Sequence, residues 1–271
     1  MRPERACGTA AILVSACLVV AGCAGMMDSA QHSQVESLSA ESDVHLAAAA
    51  EDSGDYQSAV RLFQRAVTKR PKDAGLRVAL AQALLAAGAT DEATNVLAQA
   101  VALDPKRGDA HFLLGHIALG QHAPDKAFAE FEAVLAVDPR YVKALDARGV
   151  AYDMLGRTAD AQASYRAALA IDPDDQSTRN NLGLSLALSG DYDQAIAILG
   201  KLTLEPGATP RMRQNLSLAL GLKGAKEDAA RVSHGDLDQA SIDANQKYFD
   251  AVRALMSEPA PAAGKAVPGK S

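Results

Sequence analysis

Prolines recur along this chain at a fixed interval of 34 residues, at Pro71, Pro105, Pro139 and Pro173. Glycines keep the same interval, with His122 at the one place where a glycine is missing: Gly54, Gly88, Gly156, Gly190 and Gly224. Alanines keep it without a gap: Ala59, Ala93, Ala127, Ala161, Ala195 and Ala229. Three residue types that share one period restrict the fold to stacked copies of a single supersecondary unit.

Each recurring residue has a physical role in a helical hairpin. A glycine can take a positive φ and close a first helix, helix A, before a second one, helix B. The alanine suits the place where the two helices approach closely, and the proline ends helix B. Hydrophobic residues make up 48% of the chain but aromatic ones only 4%. This composition favours packed helices over sheets, which rely on aromatic and β-branched residues.

One repeat carries the pattern in full, at Leu145, Gly149, Tyr152, Gly156, Ala161, Tyr165, Ala168 and Pro173. It resembles the tetratricopeptide repeat. The resemblance implies an all-α, right-handed superhelical solenoid of about six hairpins over residues 40–236. The repeats are expected at about 40–73, 74–107, 108–141, 142–175, 176–209 and 210–236. Large side chains in the B helices are expected to fill the space between neighbouring hairpins: Phe63, Leu97, Phe131, Tyr165 and Leu199.

The segment after the repeats has apolar residues at helical spacing. We predict an amphipathic capping helix over 237–256, because the last hairpin of a solenoid exposes an apolar face. Tyr248, Phe249, Val252 and Leu255 are expected to cover that face. Residues 257–271 are rich in Pro, Ala and Gly and are predicted to form a disordered tail.

The N-terminus has the pattern of a lipoprotein signal peptide. Arg2 and Arg5 precede a short apolar run, which is too short to span a bilayer. The run ends in Val-Ala-Gly-Cys at Cys23, which resembles the bacterial lipobox. The resemblance implies cleavage after residue 22 and lipidation of Cys23. The segment 23–39 is polar, Ser-rich and without helical periodicity, and it is predicted to be a flexible tether. Cys23 would be the last cysteine left, so no disulfide is expected, and Ala24 after it implies sorting to the outer membrane, facing the periplasm.

Charge and motifs argue against several functions. A net charge of −6 leaves no basic face for nucleic acid. No catalytic motif is present, and neither a cofactor nor a metal is predicted, because His111, His116 and His122 do not converge on a helical hairpin. Acidic groups at the helix junctions are interpreted as helix caps: Glu51, Asp52 and Asp55, Asp172, Asp174 and Asp175, and Asp191 and Asp193. We therefore expect a binding protein and not an enzyme.

The repeat register places one set of helix A residues on the inner, groove-lining face. In its second half these are Phe112, His116, Asp146, Val150, Asn180, Leu184, Gln214 and Leu218. Some tetratricopeptide modules hold a C-terminal carboxylate with Lys, Asn and Arg, and Lys143, Asn180, Asn181, Arg211 and Asn215 form a partial set of this kind. Asn181 also fits the ordinary repeat consensus, which favours a structural role. The groove is predicted to bind a peptide.

A second resemblance lies at the C-terminal end. Residues 209–224 contain Arg-Met-Arg-Gln-Asn-Leu, and residues 236–249 run from Asp-Leu-Asp to Tyr-Phe. Together they resemble the end of the TadD family, tetratricopeptide lipoproteins of the Flp pilus tight-adherence apparatus. The resemblance implies an accessory role in pilus assembly or secretin localisation at the outer membrane. Pilotins of type IV pili, and adaptors that organise peptidoglycan hydrolases, are the alternatives. The partner and the oligomeric state are left open.

Overall fold

A computed structural model describes residues 38–257, which form thirteen helices and no strand. None of these helices has the length and apolarity to cross a membrane. The signal peptide, Cys23, the tether up to residue 37 and the tail from residue 258 lie outside the described residues. The first helix, α1, covers residues 38–52. The others are α2 (Tyr56–Lys69), α3 (Ala74–Ala86), α4 (Thr90–Leu103), α5 (Gly108–Gly120), α6 (Pro124–Val137), α7 (Val142–Met154), α8 (Thr158–Leu169), α9 (Gln176–Leu188), α10 (Tyr192–Leu202), α11 (Pro210–Lys223), α12 (Lys226–Ser233) and α13 (Gln239–Ser257).

The chain divides into two compact units, the first up to Ala110 and the second from His111. In each unit, helices that follow one another in sequence pack together. In the first unit α1 is held by Asp43, whose carboxylate is almost fully buried and lies 2.6 Å from Nζ of Lys69 and 2.9 Å from Nη2 of Arg65. The all-α fold is as predicted. The superhelical path across both units stays a prediction.

The turn between each helix A and helix B has the backbone conformation that the glycine pattern predicts. The five glycines of the 34-residue repeat have φ between +72° and +97°, and His122 takes the same conformation at φ +54°. This region favours glycine, since a Cβ there approaches the following carbonyl oxygen. His122 is the only non-glycine residue with a positive φ among the described residues.

The recurring alanines lie where the two helices of a hairpin meet. All six have 0% exposure. A second close contact involves a helix A glycine beneath a large helix B side chain: Gly115 under Phe131, Gly149 under Tyr165 and Gly183 under Leu199. A Cβ added at any of these glycines would lie less than 3 Å from the side chain above it. The large residues thus pack inside their own hairpin, and the expectation that they only fill the space between hairpins was incomplete. Tyr165 and Leu199 also share one core cluster with Leu182, Leu186 and Leu216 of helices α9 and α11.

In each of the three acidic groups at the helix junctions, one residue caps a helix, whereas Glu51 and Asp52 lie inside α1. Carboxylates of Asp55, Asp175 and Asp191 accept hydrogen bonds from the backbone N–H groups of Ser58, Thr178 and Gln194 respectively. Each satisfies one of the amides that the first turn of a helix leaves without a partner.

Helix α13 packs on α11 and α12, but with only part of the face that was expected. Ile242 and Phe249 are buried, and Phe249 lies over Gly221 of α11. Tyr248 is 60% exposed and Leu255 70% exposed, so the prediction that these two cover the last hairpin was wrong. The reason is the helical phase, because the buried stripe follows residues 242 and 249, seven apart, and residues 248 and 255 fall one position before it.

Candidate functional site: the A-helix face of the second unit

All twelve groove residues that the sequence analysis singles out after residue 110 lie in the second compact unit, on α5, α7, α9 and α11. We call this surface the A-helix face. Four side chains link three of its helices in a continuous polar chain. The amide of Asn181 donates to both carboxylate oxygens of Asp146, at 3.0 and 3.2 Å. The amide of Asn215 donates to Oδ1 of Asn180 at 2.8 Å, and the amide of Asn180 reaches Oδ1 of Asn181 at 3.5 Å.

This polar chain is mostly buried and mainly joins the helices to one another. Asn180 is 5% exposed and Asn215 9% exposed, and the amide of Asn215 is bonded to Asn180. Burial raises the pKa of Asp146, and the hydrogen bonds from Asn181 act in the opposite direction by stabilising the charged carboxylate. Since these residues satisfy one another, they hold α7, α9 and α11 in register.

The exposed side chains of the A-helix face lie beside this polar chain. Lys143 and Arg211 lie in the first turns of α7 and α11 and are exposed, and Gln214 is exposed one turn further along α11. Within residues 38–257 neither Lys143 nor Arg211 has an ion-pair partner. Val150 and Leu184 of the same face are half-buried. The face therefore offers two cations, an amide and two apolar side chains to a ligand.

Aromatic rings gather at the α5 end of the face. The Phe112 ring centroid lies 4.5 Å from that of His116, 5.4 Å from that of Tyr141 and 6.0 Å from that of Phe131. The ring of His116 also lies 5.6 Å from that of Phe131, edge-on. Burial lowers the pKa of His116, although the residue as a whole remains exposed.

The three histidines considered as metal ligands have separate surroundings. Nδ1 of His111 lies 2.6 Å from Oε2 of Glu130, His116 is among the aromatic rings, and His122 forms a turn. Among the described residues, no group of three His, Cys, Asp or Glu side chains is placed to hold a metal ion.

A cleft of about 400 Å³ lies where the A-helix face meets α13. Gln214, Asn215 and Leu218 of α11 form one wall, and Ser241, Asn245 and Tyr248 of α13 form the opposite one. Ser217 and Ser233 also line it, and they are joined by a 2.8 Å hydrogen bond. The sequence analysis missed this cleft, because it assigned α13 only a covering role. The sequence did contain one indication of the cleft, because Ser241 and Asn245 are polar and lie four residues apart on α13.

A second missed feature is a buried hydrogen-bond network between α7, α8 and α9. Asp153 accepts from the hydroxyl of Tyr165 at 3.0 Å and from that of Ser185 at 2.8 Å. Burial raises the pKa of Asp153, and these two hydrogen bonds oppose the shift. The network ties the hairpin of α7 and α8 to the next helix, so it serves the architecture of the face.

Comparison with known proteins agrees with this architecture. The family model described as the tetratricopeptide repeat matches residues 50–117, 84–149 and 154–217, which together are more than half of the chain. The chain belongs to the tetratricopeptide repeat family. No curated protein matches it.

Solved structures similar to the chain are also tetratricopeptide repeat proteins or share their fold. A tetratricopeptide repeat protein from Parabacteroides merdae has a TM-score of 0.67 at 17% identity, covering 81% of this chain and 92% of that one. PilF of Pseudomonas aeruginosa has a TM-score of 0.66 at 14% identity, covering 80% and 99%. MamA of Desulfovibrio magneticus RS-1 has a TM-score of 0.57 at 20% identity, covering 61% and 94%. At these identities the likeness is one of fold. Tetratricopeptide repeats generally serve as protein interaction scaffolds.

Proposed function

We propose that this protein is a non-catalytic lipoprotein scaffold of the bacterial cell envelope. It is anchored to the outer membrane through lipidated Cys23, faces the periplasm, and binds a protein partner on the A-helix face. Its role is to assist the assembly or localisation of a Flp pilus complex, with the secretin as partner. It acts without a cofactor and does not bind nucleic acid.

The observation that carries the binding function is the composition of the A-helix face. Lys143, Arg211 and Gln214 are exposed, and the polar chain joins the helices that carry them through hydrogen bonds between side chains. A preorganised surface of this kind loses little conformational entropy when a partner binds. Cations that have no ion-pair partner among residues 38–257, on a face that also carries apolar side chains, suit an extended protein segment with an acidic group.

The pilus role is supported by the resemblance of residues 209–249 to the TadD family. The two stretches that carry this resemblance are in contact, because Arg213 of the first binds Asp236 of the second through two hydrogen bonds. The residues that look distinctive in sequence thus form one local structure around α11 and α13. The likeness to PilF supports the fold alone and does not add to the pilus assignment.

The test is photo-crosslinking in the source bacterium. A photoreactive amino acid replaces Lys143 on the A-helix face, and the matched control carries it at Arg166, an exposed cationic position on α8. We expect the residue at 143 to capture the secretin and the residue at 166 to capture it far less. Capture of a peptidoglycan hydrolase at 143 would replace the pilus role with that of a hydrolase adaptor. Equal capture at both positions would refute binding on the A-helix face.

A further inference from the structure

The cleft between α11 and α13 differs in chemistry from the rest of the A-helix face. Among the described residues that line it, none carries a charge, although charged residues make up 22% of the chain. Its polar groups are side-chain amides and hydroxyls. Its volume of about 400 Å³ lies within the range of roughly 300–1,000 Å³ that is usual for ligand sites.

Several polar groups of the cleft are available for binding, whereas the hydroxyls of Ser217 and Ser233 are bonded to each other and to the carbonyl oxygen of Ala229. Within residues 38–257 no hydrogen-bond partner is found for the side-chain amides of Gln214 and Asn245 or for the hydroxyl of Tyr248. Asn215 donates its amide to Asn180, and its carbonyl oxygen is left as an acceptor. Gln214 and Asn245 belong to opposite walls, so a molecule between α11 and α13 can receive hydrogen bonds from both sides.

This set of groups matches a polypeptide backbone. Each residue of an extended peptide presents one N–H and one C=O, and a side-chain amide supplies both a donor and an acceptor. Tyr248, which is 60% exposed, with Leu218 and Leu237, provides apolar surface for the side chains of the peptide. A charged side chain would lose its hydration here without gaining an opposite charge, which is unfavourable.

We propose that this cleft is a second binding site, and that it takes an extended, uncharged segment of a protein partner. The capping helix α13 is then half of a binding site as well as a cover for the last hairpin. The proposal rests on the proposed function insofar as the segment belongs to a protein partner. It places this segment at a different part of the face from Lys143 and Arg211. It also specifies an uncharged segment, whereas those two cations suit an acidic one.

The first measurement uses an array of random decapeptides with acetylated N-termini and amidated C-termini, probed with the full chain. We expect the bound sequences to be depleted in Asp, Glu, Lys and Arg. The strongest binder is then labelled and titrated by fluorescence anisotropy against the parent and against Asn245→Asp. The variant places a carboxylate in the cleft, and its affinity should fall about tenfold or more, because an unpaired buried charge next to peptide carbonyls is repelled.

Matched variants keep this result interpretable. Asn95→Asp makes the same change at an exposed position of α4, and it should bind as tightly as the parent. Asn245→Ala removes the hydrogen bonds without adding a charge, and it should lose less affinity than Asn245→Asp. Thermal unfolding identical to the parent shows that a loss of affinity comes from the site and not from misfolding.

Several outcomes would overturn the proposal. One is selection of charged peptides, and another is unchanged affinity in Asn245→Asp. Binding that appears only after removal of residues 258–271 would make the chain's own tail the occupant, and self-association abolished by Asn245→Asp would make it a second copy. If no peptide binds while the crosslinker at position 143, outside the cleft, still captures a protein, the cleft fails and the proposed function stands. If that crosslinker captures nothing while peptides bind the cleft, the proposed function fails instead.

Discussion

The guanidinium of Arg213 binds the carboxylate of Asp236 through two parallel hydrogen bonds, Nη2 to Oδ1 at 2.6 Å and Nε to Oδ2 at 2.7 Å. Arg213 also donates to the carbonyl oxygen of Ala208. The pair joins the start of α11 to the segment just before α13. Arg179, 34 residues earlier, makes the same two-bond contact with Glu205 after α10. In both hairpins a helix A arginine therefore fixes the connection that leaves helix B.

The Arg213 to Asp236 pair predicts a pH dependence of α13 docking. Hydrogen bonds from Arg213 lower the pKa of Asp236 below its ordinary value. A carboxyl whose pKa is lower in the folded state contributes its stability above the unfolded pKa, about 3.9, and loses it as the pH falls through the folded pKa. Arg213→Gln should therefore reduce the amide exchange protection of α13 at pH 7 and flatten its acid dependence.

The control for this prediction is two residues away. Arg211→Gln removes the same charge from the same helix turn, but Arg211 is exposed and makes no ion pair with a described residue. Its exchange profile should match that of the parent. If Arg211→Gln and Arg213→Gln lower the protection of α13 equally, net charge is responsible and the specific pair is not.

A second prediction concerns the glycine beneath Tyr165. A Cβ at Gly149 would meet the ring of Tyr165, which is 1% exposed and has no room to move away. Gly149→Ala should lower the free energy of unfolding by about 1–3 kcal/mol, the usual cost of overpacking. Urea unfolding measures it. Gly200→Ala is the control, since nothing lies within 4 Å of a Cβ there, and the helix preference of alanine should make it neutral or slightly stabilising.

A compensating change separates overpacking from other causes. Tyr165→Leu shortens the side chain above Gly149, and together with Gly149→Ala it gives the combination of alanine and leucine that Ala81 and Leu97 hold at the equivalent, fully buried repeat positions. In a double-mutant cycle, Gly149→Ala should cost less in the Tyr165→Leu background than in the parent. Equal costs in both backgrounds would mean that the ring is not the obstacle.

The membrane anchor gives a third prediction, and it concerns a residue outside the described part of the chain. If Cys23 carries the lipid, Cys23→Ser should move the protein from the membrane pellet to the soluble periplasmic fraction. Its helix content, measured by circular dichroism, should stay the same, because no described helix includes this residue. A Ser variant that still sediments with membranes would contradict anchoring by lipid.

The 34-residue period was enough to predict the hairpins, because the recurring glycine and alanine each reflect a requirement of the backbone or of packing at one position. A positive φ at Gly156 and the absence of space at Ala161 are properties of a single position, and both can be read from the sequence. The Asp153, Tyr165 and Ser185 network could not be predicted in this way. It joins residues 12 and 32 positions apart, and repeat spacing alone does not tell whether a side chain turns to its own hairpin or to the next one.

The candidate site was predicted only in part, because the repeat register determines the face on which a residue lies but not its burial. Repeat register places Asp146, Asn180 and Gln214 on one face, since each lies on a helix A at an equivalent position. Register does not predict burial, so the mutual hydrogen bond of Asn180 and Asn215 was not foreseen. The cleft was missed because α13 lies outside the repeats. A shift of one residue in its helical phase exchanges the buried residue Phe249 for the exposed one Tyr248.

That difference between neighbouring aromatic residues gives the last prediction. Phe249 is 5% exposed and lies over Gly221, whereas Tyr248 is 60% exposed at the mouth of the cleft. Phe249→Ala removes a buried ring and leaves a cavity above Gly221. It should cost about 3–5 kcal/mol, the usual range for a core phenylalanine. Tyr248→Ala removes mostly exposed surface and should cost well under 1 kcal/mol.

Amide hydrogen exchange locates where this stability is lost. In an array of repeats each element is stabilised by its neighbours, so the loss of Phe249 should raise exchange first in α13, α12 and α11. Protection of α7 and α8 should stay close to that of the parent. In the same pair of variants, binding of the uncharged peptide should fall in Tyr248→Ala, although its fold is intact. If Phe249→Ala leaves exchange in α11 unchanged, α13 does not cap the last hairpin, and its attachment to α11 contributes to binding alone.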